Sequence, residues 1–238
     1  QCNLVLRHIA FGEFEIAGEA GKASARSMRE GNSILGLNYA FLHIGLNDFY
    51  QGSFRTAEAN YVKAEEMARD NFGADSGLKA AAGVHGQSLS FWKGELEAES
   101  VPALETDVFQ ICQFDGWFES FAIGFDALFH HALAERNSNR MSEYIRQMRV
   151  TALERGVERL DAVADAFELI LCVVHDDMRK AARLFEAVRQ HIVSDTRKRH
   201  APTWMVRMFA GMACTRYLIK TTSVREALKS AQTTNSLV

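Results

Sequence analysis

A lysine next to glycine with small hydroxyl residues close by is suited to holding phosphate, and the run Gly-Glu-Ala-Gly-Lys-Ala-Ser from Gly18 to Ser24 carries such a set. A phosphate-binding loop needs Gly-x-x-x-x-Gly-Lys-Ser/Thr, so that backbone N–H groups curl around the anion and the hydroxyl holds magnesium. Ile16 stands at the first glycine position and Ala23 at the hydroxyl position. No strand pattern precedes the run, because Arg7 and His8 interrupt the apolar residues upstream. The segment therefore reads as something other than a nucleotide site.

The remaining reactive side chains are scattered. His130 and His131 are adjacent, and neighbours on a helix point about 100° apart, so they do not converge on one metal ion. Cys2, Cys112, Cys172 and Cys214 lie far apart with no Cys-x-x-Cys pairing, which predicts reduced core thiols in a cytoplasmic protein. No local Ser-His-Asp or Cys-His arrangement stands out, so no catalytic residue, metal or cofactor is expected. The basic run Arg197 to His200 reads as a solvated loop before Pro202, where a last helical pair is expected to begin.

With 27 basic and 30 acidic side chains the net charge is -3, so no general positive field exists to attract nucleic acid or an anionic membrane. No apolar run approaches the ~20 residues of a membrane span. The chain begins with Gln1 rather than methionine and reads as a piece of a larger protein. Two prolines in 238 residues and abundant Ala, Leu, Glu, Arg and Met predict an all-α protein.

A repeat organises those helices. Gly-Glu-Phe-Glu-Ile-Ala from Gly12, Gly-Ser-Phe-Arg-Thr-Ala from Gly52 and Gly-Glu-Leu-Glu-Ala-Glu from Gly94 recur at spacings of 40 and 42 residues. Weaker equivalents begin at Asn137, Asp176 and Thr222. Apolar stripes of three-four spacing flank these turns: Ile34, Leu37, Phe41, Ile44 and Phe49 before the second, then Phe54, Ala57, Tyr61, Ala64 and Met67 after it. Later in the chain Leu160, Val163, Phe167, Ile170 and Val174 are followed by Met178, Ala181, Phe185, Val188 and Ile192. The expected architecture is a single domain over 1–238, a TPR-like α-α superhelix of about six helical hairpins. Gly45, Gly52, Phe54, Ala57, Tyr61 and Ala64 fall at the tetratricopeptide positions, with Gly45 and Ala57 allowing close approach and Tyr61 filling the space beside them. Asp48 departs from that pattern, and Phe49 beside it takes the aromatic role. In this frame Gly18 to Ser24 lies along the second helix of the first hairpin, where small residues permit close packing.

From Asn38 to Glu99, the helix ending at a glycine turn, the run AEANYVKAEEMARDNFGADS and the following LSFWKGELE resemble the helical sensor region of the large ATP-dependent LuxR-type regulators, the MalT-type family. The resemblance implies a central module that binds a small-molecule effector or a regulatory protein or peptide. In that family a separate ATPase precedes the module and a helix-turn-helix follows it. This chain carries neither, so DNA would be reached only through a helix-turn-helix domain absent from it, and no ATPase or DNA-binding residue carries over. Self-association is a further expectation, and a general TPR protein–protein interaction scaffold is the alternative reading.

The first helix of each hairpin lines the concave face of such stacks. Aligning the second and third pairs sets His43 beside His85, Phe49 beside Phe91 and Tyr50 beside Trp92. Phe49 and Phe91 read as packing residues. Tyr39, His43, Tyr50, His85 and Trp92 are the expected ligand-binding residues, combining ring stacking with a few directed hydrogen bonds.

Overall fold

The computed structural model describes residues 2–73, 76–114, 117–193 and 203–222. Those residues are helical, with no strand among them. The first seven α-helices are α1 Cys2–Ala10, α2 Phe14–Glu30, α3 Ile34–Tyr50, α4 Phe54–Phe72, α5 Gly77–Lys93, α6 Val101–Ile111 and α7 Phe118–Ala134. The remaining four are α8 Ser138–Arg155, α9 Glu158–Val174, α10 Met178–Val193 and α11 Trp204–Thr221, and a short 3-10 turn, Ala98–Ser100, precedes α6. Contacts divide the chain into two compact units, Gln1–Leu128 and Phe129–Val238, with the boundary inside α7. The basic run at 197–200, Pro202 and nearly all of the repeat expected from Thr222 lie outside the described residues.

The forty-residue period is written in the turns. Gly12, Gly52, Gly94, Arg136 and Asp176 all have positive φ, between 57° and 76°, and follow one another at 40 to 42 residues. Asn32, Gly73 and Gly156 form a second series half a period away. At most of these turns the next N–H reaches back to the carbonyl five residues earlier, as from Ser53 to Asp48 (2.8 Å), Asn137 to Ala132 (2.8 Å) and Asp177 to Cys172 (3.0 Å). This closure satisfies the last helical carbonyls and requires one left-handed residue. The fourth turn is one residue earlier than the motif at Asn137 suggests, since Arg136 takes the left-handed position and Asn137 caps α8 by accepting from the N–H of Arg140. The third turn also differs. After Gly94 the chain runs through Glu95 to Glu97 before α6 begins at Val101, with Pro102 in its first turn.

In the first unit each helix packs on its successor from α1 to α6, while α1 also meets α3 and α3 meets α5. Small residues set these approaches. A Cβ on Gly21 of α2 would lie 2.7 Å from Ile44 Cγ1, and one on Gly45 of α3 would lie 2.5 Å from Tyr61 Cε1. Gly18 to Ser24 therefore belongs to a helix contact, with Gly21 and Ser24 buried. Ala57, Tyr61 and Ala64 form the buried stripe of α4. The stripe of α3 is rotated from the expected one. Ile34 is exposed and Phe41 half-buried, whereas Asn38, Leu42, Gly45 and Leu46 are buried. A helix covered by α1, α2, α4 and α5 has little polar face left, so its apolar residues no longer mark the core side. Ala57→Leu is expected to destabilise the chain by about 2 kcal/mol through overpacking. A urea midpoint equal to the parent's would remove Ala57 from the α3–α4 contact.

The second unit is built around α9, which packs on α8, α10 and α11. Leu160, Val163, Phe167 and Ile170 are buried along it, as the periodicity predicts, while Val174 emerges to solvent. Phe167 stacks on Phe129 with ring centres 4.5 Å apart and meets Phe209 edge-on at 5.4 Å. On the outer side Arg149 of α8 bridges Asp161, Asp165 and Glu168 of α9, and Lys180 of α10 shares Glu168 at 2.5 Å. These ties pin α8 and α10 to the polar edge of α9.

Candidate functional site

Three helices of the first unit bring polar and aromatic side chains to one face. On α3, Tyr39, His43, Asn47 and Tyr50 recur at four, four and three residues, the spacing of one helical side. On α5, His85, Ser88 and Trp92 do the same. From the start of α7, Ser120 lies 2.9 Å from His85 Nε2, the Ile123 carbonyl accepts from Ser88 Oγ at 3.3 Å, and Asp126 Oδ2 accepts from Trp92 Nε1 at 3.1 Å. The numbers rise together along both helices, so α5 and α7 run in the same direction. Ser76 fixes the entry of α5 by accepting from the N–H of Lys79, and Ser33 does the same for α3 from Gly36.

The five expected residues share this face at different depths. Trp92 is 40% exposed, whereas His43 and His85 are only 8% and 4% exposed. Tyr39 and Tyr50 are half-buried. The Tyr39 ring stacks on Trp117 at 5.5 Å and stands 6.0 Å from the His43 ring. Tyr61 of α4 stacks on His85 at 5.1 Å from the other side. The histidines therefore sit in the wall behind the aromatic surface, and Tyr39, Trp92 and Trp117 are nearer the solvent. Phe91 meets Trp92 edge-on, and Phe49 packs between Tyr50 and Phe54.

Electrostatics keeps the wall neutral. Burial, reinforced by His43, pushes the His85 imidazole down to about 3. With Nε2 against Ser120 Oγ, its Nδ1 has no hydrogen-bond partner. Burial also holds the Tyr50 phenol well above its usual value, and the carboxylates of Glu119 and Asp126 push it the same way. A neutral imidazole, a phenol and an indole N–H beside a buried carboxylate can orient a polar ligand through hydrogen bonds while the rings supply stacking area.

Elsewhere the reactive residues diverge. His130 packs edge-on to Phe129 and Phe167, while His131 faces Glu135 at 3.7 Å. Cys112, Cys172 and Cys214 are not in disulfides, and burial pushes Cys214 up to about 12, far from a nucleophilic thiolate. No group of three His, Cys, Asp or Glu residues close enough to hold a metal occurs among the described residues. None of their helices is long and apolar enough to cross a membrane.

Ser120 and Asp126 of α7, and Trp117 just before it, are not visible in the repeat alignment. They lie 34 or 35 residues beyond their α5 partners where these are Ser120 and Asp126, not one 42-residue repeat beyond them. No protein-family model matches the chain, and no match is found among the curated proteins.

Proposed function

We propose that this chain is the effector- or protein-sensing helical repeat module of a LuxR-type, MalT-type bacterial transcriptional regulator, working in the cytoplasm. A small molecule or a peptide binds on the face carrying Tyr39, His43, Tyr50, His85 and Trp92. The observation that carries this reading is the convergence of α3, α5 and α7 on one aromatic and hydrogen-bonding surface, with Tyr39 and Trp117 stacked at 5.5 Å and Trp92 held by Asp126. The left-handed turn residues at intervals of 40 to 42, and the common direction of α5 and α7, support a TPR-like stack of hairpins. Stacks of that kind wind into superhelices whose neighbouring repeats contact only one another.

In this reading the module has no catalytic part. A ligand acts by favouring one packing of α3, α5 and α7 over another, since equal affinity for both shifts no equilibrium. The response passes to a helix-turn-helix domain elsewhere in the parent protein, or to a second copy by self-association.

The parent gene tests the module. A phosphate loop encoded before Gln1 and a helix-turn-helix after Val238 are expected; absence of both overturns the regulator reading in favour of a general interaction scaffold. The face is tested by tryptophan emission in a Trp204→Phe background, titrated with a panel of short peptides and small uncharged aromatic compounds. A member that binds is expected to shift the emission, and both Trp92→Phe and Tyr39→Ala are expected to weaken its binding. Binding that is unchanged in both variants would move the site elsewhere. The buried histidines are poorer probes, because truncating either leaves a cavity in the helix stack.

A further inference from the structure

On the opposite side of α5, Lys79, Gly83, Gly86, Gln87 and Ser90 open onto a cleft of about 530 Å³, walled by Glu65 of α4 and by Ala103, Thr106 and Asp107 of α6. At 100° per residue this face points away from His85, Ser88 and Trp92, so the cleft is separate from the face described above. We propose that it is a second binding site, for a small organic cation bearing an ammonium or guanidinium group.

The lining sets several acceptors beside one cationic donor, the Lys79 ammonium. Ser90 Oγ gives its proton to the Gly86 carbonyl at 3.2 Å, and Thr106 Oγ1 gives its proton to the Pro102 carbonyl at 2.8 Å, which leaves lone pairs on both oxygens. Gln87 turns its amide N–H toward Asp107 Oδ2 at 3.4 Å, and its Oε1 is buried without a partner. Asp107 itself has a side chain only 9% exposed, and its nearest cation, Lys79, stands off at 3.8 Å from Oδ1. Both contacts are long for a buried carboxylate, which normally collects several short charge-assisted hydrogen bonds. Burial keeps the Asp107 carboxyl above its usual range against the pull of Lys79, and Glu65, a second negative charge across the cleft, adds a smaller push upward. Two carboxylates against one lysine leave the site negative, and an ammonium or guanidinium group supplies several donors for those acceptors.

The glycines shape the space. A Cβ on Gly83 would overlap Asp107 Oδ2, so the missing side chain lets the carboxylate lie flat on α5. A Cβ on Gly86 would meet nothing within 4 Å, so this glycine leaves its space open to an occupant. The volume is within the ordinary range of about 300–1,000 Å³ for small-molecule pockets.

Calorimetric titration of the full chain with agmatine and with putrescine at low ionic strength tests the site. Binding with Kd of about 0.1–1 mM is expected, the range of a few charge-assisted contacts in an open cleft. Gly86→Met, which fills the cleft without a clash and replaces a poor helix former, is expected to abolish binding while leaving the melting temperature unchanged or higher. Glu65→Gln is expected to weaken binding by about tenfold or more, the loss of one charged partner. Absence of binding by either amine overturns the proposal. So does binding that persists in both variants, which would mark general attraction to a chain of net charge -3.

Discussion

Phe167→Ala is expected to lower stability by about 3–5 kcal/mol, the usual cost of emptying a fully buried phenylalanine position. The ring is 0% exposed at the centre of α9, with Phe129 stacked at 4.5 Å, Phe209 edge-on at 5.4 Å and His130 edge-on at 5.7 Å. Removing it strips a partner from three rings at once and leaves a cavity that the surrounding helices cannot close without moving. Phe167→Leu keeps most of the volume and is expected to cost about 1–1.5 kcal/mol, mainly the lost ring contacts. Urea unfolding followed by circular dichroism measures both, with the change in midpoint at constant slope read as stability. Equal midpoints for the parent and Phe167→Ala would remove Phe167 from the core of the second unit.

The periodicity of α9 exposes Phe167 in the sequence, because a helix with one polar edge shows its core as a simple three-four pattern. The same reasoning fails on α3, where burial on several sides erases the polar face and puts Asn38 and His43 inside while Ile34 lies outside. Turns behave similarly. Gly12, Gly52 and Gly94 announce left-handed positions, but Asn32, Arg136 and Asp176 adopt the same conformation without a glycine to mark it. Asn and Asp tolerate that region, which is a weak local signal, and Arg136 carries none.

The candidate face was legible in type more than in contact. Aligning equivalent positions one repeat apart paired His43 with His85 and Tyr50 with Trp92, and all four lie on one side of their helices. Residues that touch across α5 and α7 are separated by 34 or 35 positions instead, two helical turns short of the 42-residue repeat. An alignment of repeats therefore finds corresponding residues and passes over Ser120 and Asp126, the partners that fix them. The cleft on the other side of α5 was silent for a different reason. Its shape comes from Gly83 and Gly86, and Asp107 in isolation reads as an ordinary charged residue on an amphipathic helix.

The wall of the candidate face makes stability depend on pH through His85. Its imidazole titrates near 6.5 in the unfolded chain but only at about 3 in the folded one, where burial and His43 oppose the charge. Between those values the unfolded state binds a proton that the folded state does not, so stability is present at neutral pH and is lost as pH falls. For this one group the loss from pH 7 to pH 4.5 is expected to be about 2.5 kcal/mol, nearly all of it below pH 6.5. His43, Tyr61 and Ser120 face the ring, and none supplies an anion to relieve its protonation. Asp48 and Asp107 act in the opposite sense, because burial raises both carboxyls and favours the folded state as pH falls. The His85→Asn variant separates the contributions, since those carboxyls titrate in both proteins. Urea midpoints measured from pH 7 to pH 4.5 should fall more steeply for the parent than for His85→Asn, with the gap closing by about 2.5 kcal/mol across the range. Parallel pH profiles would mean that His85 is already charged or solvated in the folded chain. The neutral wall behind Tyr39 and Trp92 would then be wrong, because a charged imidazole there would favour anions at the proposed site.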